Sequence, residues 1–296
     1  MDLREELRKY LDDNDLPATQ VAREIDLSPA TISSWMSGTY KGRVERIDTA
    51  VESYLIRKAG GPTKHTDRVV QTSVRSRLCG MAQTCHTQGS MGLAIGVAGI
   101  GKTLACRHYR DSNPGVILLE IDFGFTAWAM MSELHKAVGF DGSGGMHRQM
   151  LDIVERLKGS NRLIIIDEAE HLPYRALEMI RRVYDHTGVG VLLVGLRKLF
   201  EGIWGLRGQY SQFQSRCTAG VIKLDNITLP DARRIASSCL SESVSDDIVQ
   251  CLYTTVKGNA RSFRALITKT LTNADGNAAA IDVDLIKESA TILCLQ

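Results

Sequence analysis

A chain of 296 residues has room for one large domain and one small one, but not for several. Its 44% hydrophobic and 24% charged residues suit an ordinary globular protein, and no apolar run reaches the roughly 18–20 residues needed to cross a bilayer. The charged N-terminus, MDLREELRKYLDD, lacks the apolar stretch of a secretion signal. Seven scattered cysteines without a CxxC pair read as reduced thiols of a cytoplasmic protein, and the seven histidines show no metal-ligand spacing. The net charge of +2 is unevenly spread: residues 1–40 carry four basic side chains against eight acidic ones, a net of −4. Between 41 and 77, Lys41, Arg43, Arg46, Arg57, Lys58, Lys64, Arg68, Arg75 and Arg77 face only four acids. Such a segment suits either a phosphate backbone or a solvated linker.

In chain order, residues 1–58 are expected to form a small all-α domain. Within it, residues 18–38 (ATQVAREIDLSPATISSWMSG) resemble a helix-turn-helix of the Cro/repressor type. Ala22 falls where two helices cross closely, Ile25, Leu27, Ile32 and Trp35 have core spacing, and Asp26 stands at the turn, where a left-handed backbone is tolerated. Ser28 and Pro29 cap and open the second helix. Its outward residues, Ala30, Thr31, Ser33 and Ser34, are small and uncharged, with no Arg, Lys, Asn or Gln to make a bidentate base contact. Weak nonspecific DNA contact or protein docking is the expected role, with Lys41, Arg43 and Arg46 available to phosphates.

A polar linker, 59–68, precedes an α/β domain over 69–225. Apolar runs at Leu93–Val97, Val116–Ile121, Leu163–Ile166, Val189–Val194 and Val221–Leu224 alternate with helical patterns, which predicts a parallel sheet flanked by helices. Residues 226–296 read as a helical lid, with helices over 229–240, 245–256, 260–273 and 281–291.

The stretch Gly96–Thr103, GVAGIGKT, fits GxxxxGK[ST] between a strand and a helix. Glycines let backbone N–H groups curl around a phosphate, and the helix N-terminus adds its positive end. Gly96, Gly99, Gly101, Lys102, Thr103 and Leu104 are therefore the expected nucleotide contacts, with Lys102 neutralising phosphate oxygens and Thr103 holding Mg²⁺. Some sixty residues on, Leu163–Glu168 (LIIIDE) ends a strand in two carboxylates. Asp167 is expected to serve the metal, and Glu168 to polarise the attacking water. Neither a guanine-reading [NT]KxD motif (Asp67 comes one position late after Lys64) nor an LSGGQ-like signature is present, so ATP is the expected nucleotide.

Two arginines sharpen the family. Arg216, shortly before the strand Val221–Leu224, stands where AAA+ proteins place an arginine finger, and Gly258–Arg261 (GNAR) resembles their sensor 2 motif. One feature departs from that pattern: the fourth strand runs through Gly195 into Leu196 rather than a polar sensor 1, so that either Arg197 substitutes or hydrolysis is slow. With the helix-turn-helix in front and the block Asp167–Gly195 in the middle, the whole chain resembles the B proteins of Mu-like transposable phages. The resemblance implies an ATP-dependent filament on DNA with little sequence preference, capture of target DNA for a transposase, and a slow ATPase stimulated by both. Arg175, Arg181, Arg182 and Lys198 are the expected DNA contacts, though a solvated helix face carries the same residues. A sequence-specific transcription regulator with an ATP-sensing domain is the alternative, and a secretion-type ATPase a more distant one.

Overall fold

The computed structural model describes residues 3–14, 16–25, 27–40, 42–59, 70–205, 210–240 and 245–295. Asp26, Lys41 and the linker's residues 60–68 lie outside them. The chain divides into two units, Met1–Asp67 and Arg68–Gln296.

The first unit holds α1 (Leu3–Asp13), α2 (Ala18–Glu24), α3 (Pro29–Met36) and α4 (Val44–Ala59). Ala22, Ile32 and Trp35 are fully buried, with Ile25 and Leu27 packed at the edge of the same cluster. Leu7 and Leu11 of α1 and Ile47, Val51 and Tyr54 of α4 complete this core. Ser28 caps α3 by accepting from the Thr31 amide at 3.1 Å. The Trp35 indole donates to Asp48 Oδ1 at 2.8 Å, which lets its polar atom lie inside. On α3 the Ser34 hydroxyl donates to the Ala30 and Thr31 carbonyls, so it is engaged with its own helix rather than presented outward.

The second unit begins with α5 (Ser73–Gln88), β1 (Met91–Gly96), α6 (Lys102–Ser112), β2 (Val116–Glu120), α7 (Ala127–Ala137), α8 (Met146–Leu157) and β3 (Leu163–Asp167). A 3₁₀ turn (Ala169–His171) leads to α9 (Tyr174–Thr187), β4 (Gly190–Gly195), α10 (Arg197–Gly205), α11 (Ser211–Gln214) and β5 (Gly220–Leu224). Then come α12 (Leu229–Cys239), α13 (Asp246–Thr255), α14 (Ala260–Asn273) and α15 (Val283–Ile292). The five strands are parallel in the order β2-β3-β4-β1-β5.

β1, β3 and β4 are buried along their whole length, as their unbroken apolar runs require, while the edge strands β2 and β5 keep exposed positions. One face of the sheet packs on α5, α6 and the C-terminal helices, the other on α7 to α11. All carboxyl ends of the strands share one edge. The P-loop and the Asp167–Glu168 pair therefore meet there, as ligand sites do in open α/β sheets.

The C-terminal helices are pinned to this core through Asp231. Its buried carboxylate accepts from the Ser73 amide at 2.9 Å, the Thr228 amide at 3.0 Å and the Thr228 hydroxyl at 2.9 Å, and pairs with Arg234 at 3.2 Å. Burial alone would push this carboxyl up, but the hydrogen bonds from Ser73 and Thr228 outweigh it and hold it below the usual range. A depressed carboxyl contributes stability above its unfolded pKa, about 3.9, and loses it as pH falls through the folded value. Asp231→Ala strands donors at the starts of both α5 and α12 and is expected to cost about 2–4 kcal/mol. Urea denaturation should show that loss at pH 7, and a shallower loss of stability below about pH 4 than the wild type shows.

Candidate nucleotide site

At the carboxyl edge, Gly99 (φ +79°) and Gly101 (φ +98°) take left-handed backbone conformations that admit side chains poorly. They fold the P-loop so that α6 begins at Lys102 with its first amides turned into the loop. Lys102 is only 4% exposed, and its ammonium donates to the carbonyls of Gly96 (3.1 Å) and Val97 (3.0 Å) inside the loop. Gly96 has no space for a side chain: a Cβ would stand 2.6 Å from Ile100 Cδ1 and 2.8 Å from the Leu224 carbonyl oxygen. Beside the loop opens a cleft of about 230 Å³ lined by Gly99, Gly101, Lys102, Thr103, Leu104, Glu168, Ala260, Arg261 and Arg264.

The first turn of α14 closes the cleft. The Arg261 amide donates to the Gly99 carbonyl at 2.9 Å, and the Asn259 side chain donates to the Ala98 carbonyl at 2.8 Å while its oxygen caps α14 through the Ser262 amide. A phosphate-binding loop and a C-terminal helix are thus fastened directly to each other, so a ligand that reshapes the loop pulls on the helix. Arg264 is a lining residue that the motif search overlooked. It stands three residues after Arg261, hence on the same face of α14, and that periodicity was its available signal.

Asp167 is buried at the end of β3, where the Glu168 amide donates to its Oδ1 at 3.0 Å, and its Oδ2 has no hydrogen-bond partner among the described residues. Burial raises its proton affinity, against the opposing influence of the nearby Thr103 hydroxyl and the Glu168 amide. A hydroxyl next to a buried carboxylate with an oxygen to spare is a donor set that fits a hard divalent cation such as Mg²⁺. Glu168 takes a left-handed backbone (φ +53°), a strained state for a side chain of this kind. That turn carries its carboxyl into the cleft. Burial and the neighbouring Glu170 carboxylate both push the Glu168 carboxyl up. Glu168, Glu170 and His171 bring one oxygen or nitrogen each within 4.8 Å of one another, and the Phe123 ring meets His171 edge-on at 5.8 Å.

The other expected residues lie elsewhere. Arg197 is 85% exposed and pairs with Glu201 at 2.9 Å, and it is not among the residues that line the cleft. Arg181 is likewise no outward DNA contact: it is buried between Glu178 (3.0 Å) and Asp185 (2.6 Å). Arg175 and Arg182 are exposed and, seven residues apart, share one face of α9; Lys198 is exposed on α10 and Arg43 in the first unit, while Lys41 is outside the described residues. Arg216 pairs with Asp185 at 3.1 Å. Its location is at the opposite, amino edge of the sheet, because the Ala219 amide three residues on bonds to the carbonyl of Met91, the first residue of β1.

Comparison with known proteins agrees with this architecture. Residues 85–202 match the family model described as "AAA domain". Over 209 residues, 69% of this chain, it is 25% identical to the Mu-like prophage FluMu DNA transposition protein B of Haemophilus influenzae, spanning 73% of that protein. It is 28% identical over 210 residues to the ATP-dependent target DNA activator B of Escherichia phage Mu, spanning 66% of it, just under two thirds. Among solved structures, the ORC2 protein of Aeropyrum pernix superposes with a TM-score of 0.56 at 14% identity, covering 78% of this chain and 72% of that one, a likeness of fold. No helix among the described residues is long and apolar enough to cross a membrane. The chain thus carries an AAA domain and is homologous, at 25–28% identity over 69% of its length, to the B proteins of Mu-like phages.

Proposed function

We propose that this chain is an ATP-controlled DNA-binding protein that coats duplex DNA with little sequence preference and delivers it as target to a transposase. The observation that carries the proposal is the similarity, over 69% of the chain, to proteins named for DNA transposition and target activation. Lys102, Thr103 and Asp167 hold MgATP, Glu168 takes the proton of the attacking water, and Arg261 with Arg264 faces the nucleotide from the lid. Mg²⁺ would neutralise phosphate charge as ATP is cleaved. Arg216 completes the site of a neighbouring copy, so ATP joins subunits into a filament and hydrolysis releases them. The protein works in the bacterial cytoplasm, on DNA.

Arg175, Arg182 and Lys198, with Arg43 of the first unit, supply the phosphate contacts; Arg181 instead ties α9 internally. The α3 surface supports nonspecific binding, since its small residues offer no bidentate base reader and Ser34 is bonded to its own helix. The test is binding to several unrelated duplexes with ATP, with ADP and without nucleotide. ATP-dependent binding to all of them is expected, weakening steeply between about 50 and 200 mM salt. Tight binding to a single operator, indifferent to ATP, would instead establish the alternative of a sequence-specific regulator.

A further inference from the structure

The tip of β4 lies between the P-loop strand and the Asp167 strand, because β4 pairs with β1 on one side and with β3 on the other. A side chain there would stand between the phosphate loop that follows β1 and the Asp167–Glu168 turn that ends β3, and AAA+ proteins generally place a polar residue at this end of the strand. Here the tip is Gly195. A Cβ on it would collide with Glu170 Oε2, closer than any real side chain comes, and would stand a tight 3.0 Å from Leu199 Cδ2. The Glu170 carboxylate therefore fills the space that a β4 side chain would take, and Gly195 leaves the room for it.

Both Glu170 oxygens are sealed from solvent and receive no hydrogen bond from a donor among the described residues. Keeping a carboxylate in such a place for packing alone is costly, so it needs a partner that arrives from the neighbouring site. Glu168 is that neighbour, with oxygens of the two groups within 4.8 Å, and it lines the nucleotide cleft.

We infer that Glu170, reaching over Gly195, is the positioning residue that replaces the missing polar group of β4 and acts through Glu168. In the reaction the water oxygen bonds to the γ-phosphorus while the bond from that phosphorus to the bridging oxygen breaks, its electron pair leaving on ADP. The water's proton passes to Glu168, and the new O–H has Glu170 as its acceptor. This rests on the ATPase reading proposed above.

The test compares Glu170→Ala, Gly195→Ser and the double variant by steady-state ATP hydrolysis with duplex DNA present, and by titration with a fluorescent ATP analogue. Glu170→Ala is expected to lower kcat about tenfold or more, while analogue affinity and KM stay within about twofold. Gly195→Ser alone, forced against Glu170, should also lose activity. Combined with Glu170→Ala, the serine meets only the flexible end of Leu199, which needs to give by a few tenths of an ångström, and should restore kcat at least about threefold over the single alanine variant. A Glu170→Ala protein with kcat within about twofold of wild type would overturn the inference, as would parallel loss of affinity and kcat with no rescue by serine. If the wild type binds ATP but never turns it over, with or without DNA, the ATPase reading itself fails; an active wild type with an equally active Glu170→Ala sinks this inference alone.

Discussion

Lys102→Ala is expected to lower ATP affinity by at least about 100-fold, or about 2.7 kcal/mol, and to abolish ATP-dependent DNA binding with it. The reason lies in where the ammonium sits. At 4% exposure it is already desolvated inside the loop, and its hydrogen bonds go to the carbonyls of Gly96 and Val97, which a phosphate oxygen can replace at little further cost. Alanine leaves those carbonyls without a donor and the phosphates without a nearby cation. Because the loop is also tied to α14 through Asn259 and Arg261, the lid would no longer respond to whatever nucleotide still binds. A fluorescent-nucleotide titration and a DNA-binding assay on the same preparation read both effects, with thermal denaturation as the control for folding. Retained ATP-dependent DNA binding would show that nucleotide acts elsewhere.

Much of this site was legible in the sequence because its chemistry is local. Gly96–Thr103 needs only eight consecutive residues to define a phosphate loop, and LIIIDE defines a buried strand that ends in carboxylates. The strands were readable for the same reason: runs such as Leu163–Ile166 have no polar alternation and must be covered on both faces. What escaped depends on contacts distant in sequence. That Asn259 fastens the lid to Ala98 could not be seen across 161 residues. That Arg181 is buried follows from its spacing to Glu178 and Asp185 on α9, which a count of basic residues passes over. The gap at sensor 1 was legible, since Gly195 and Leu196 are apolar, but that Glu170 occupies it requires knowing how the 3₁₀ turn after β3 folds back over β4.

The second large effect concerns Arg216. Each strand of the sheet is five or six residues long, which places the amino edge roughly 17 Å from the phosphate loop at the carboxyl edge. That is beyond the reach of an arginine side chain, so Arg216 can serve a nucleotide only on another copy of the chain. It is also held ready: Asp185 pairs with Arg216 at 3.1 Å while Arg181, locked on Glu178, fixes Asp185 from the other side at 2.6 Å. The Arg216 side chain remains 36% exposed at that edge, where a neighbour's phosphates can replace Asp185 as its partner. Arg216→Ala is therefore expected to leave ATP affinity within a few fold of wild type but to lower DNA-stimulated turnover by about 10³ or more, the scale on which arginine fingers act. Mixing gives the sharper result. Arg216→Ala subunits keep an intact loop, Lys102→Ala subunits keep an intact Arg216, and at a junction between them one complete site is rebuilt. Equal amounts of the two inactive proteins should then hydrolyse ATP measurably. Mixtures that stay inactive at every ratio, although both variants still associate, would show that Arg216 does not complete the site of its neighbour.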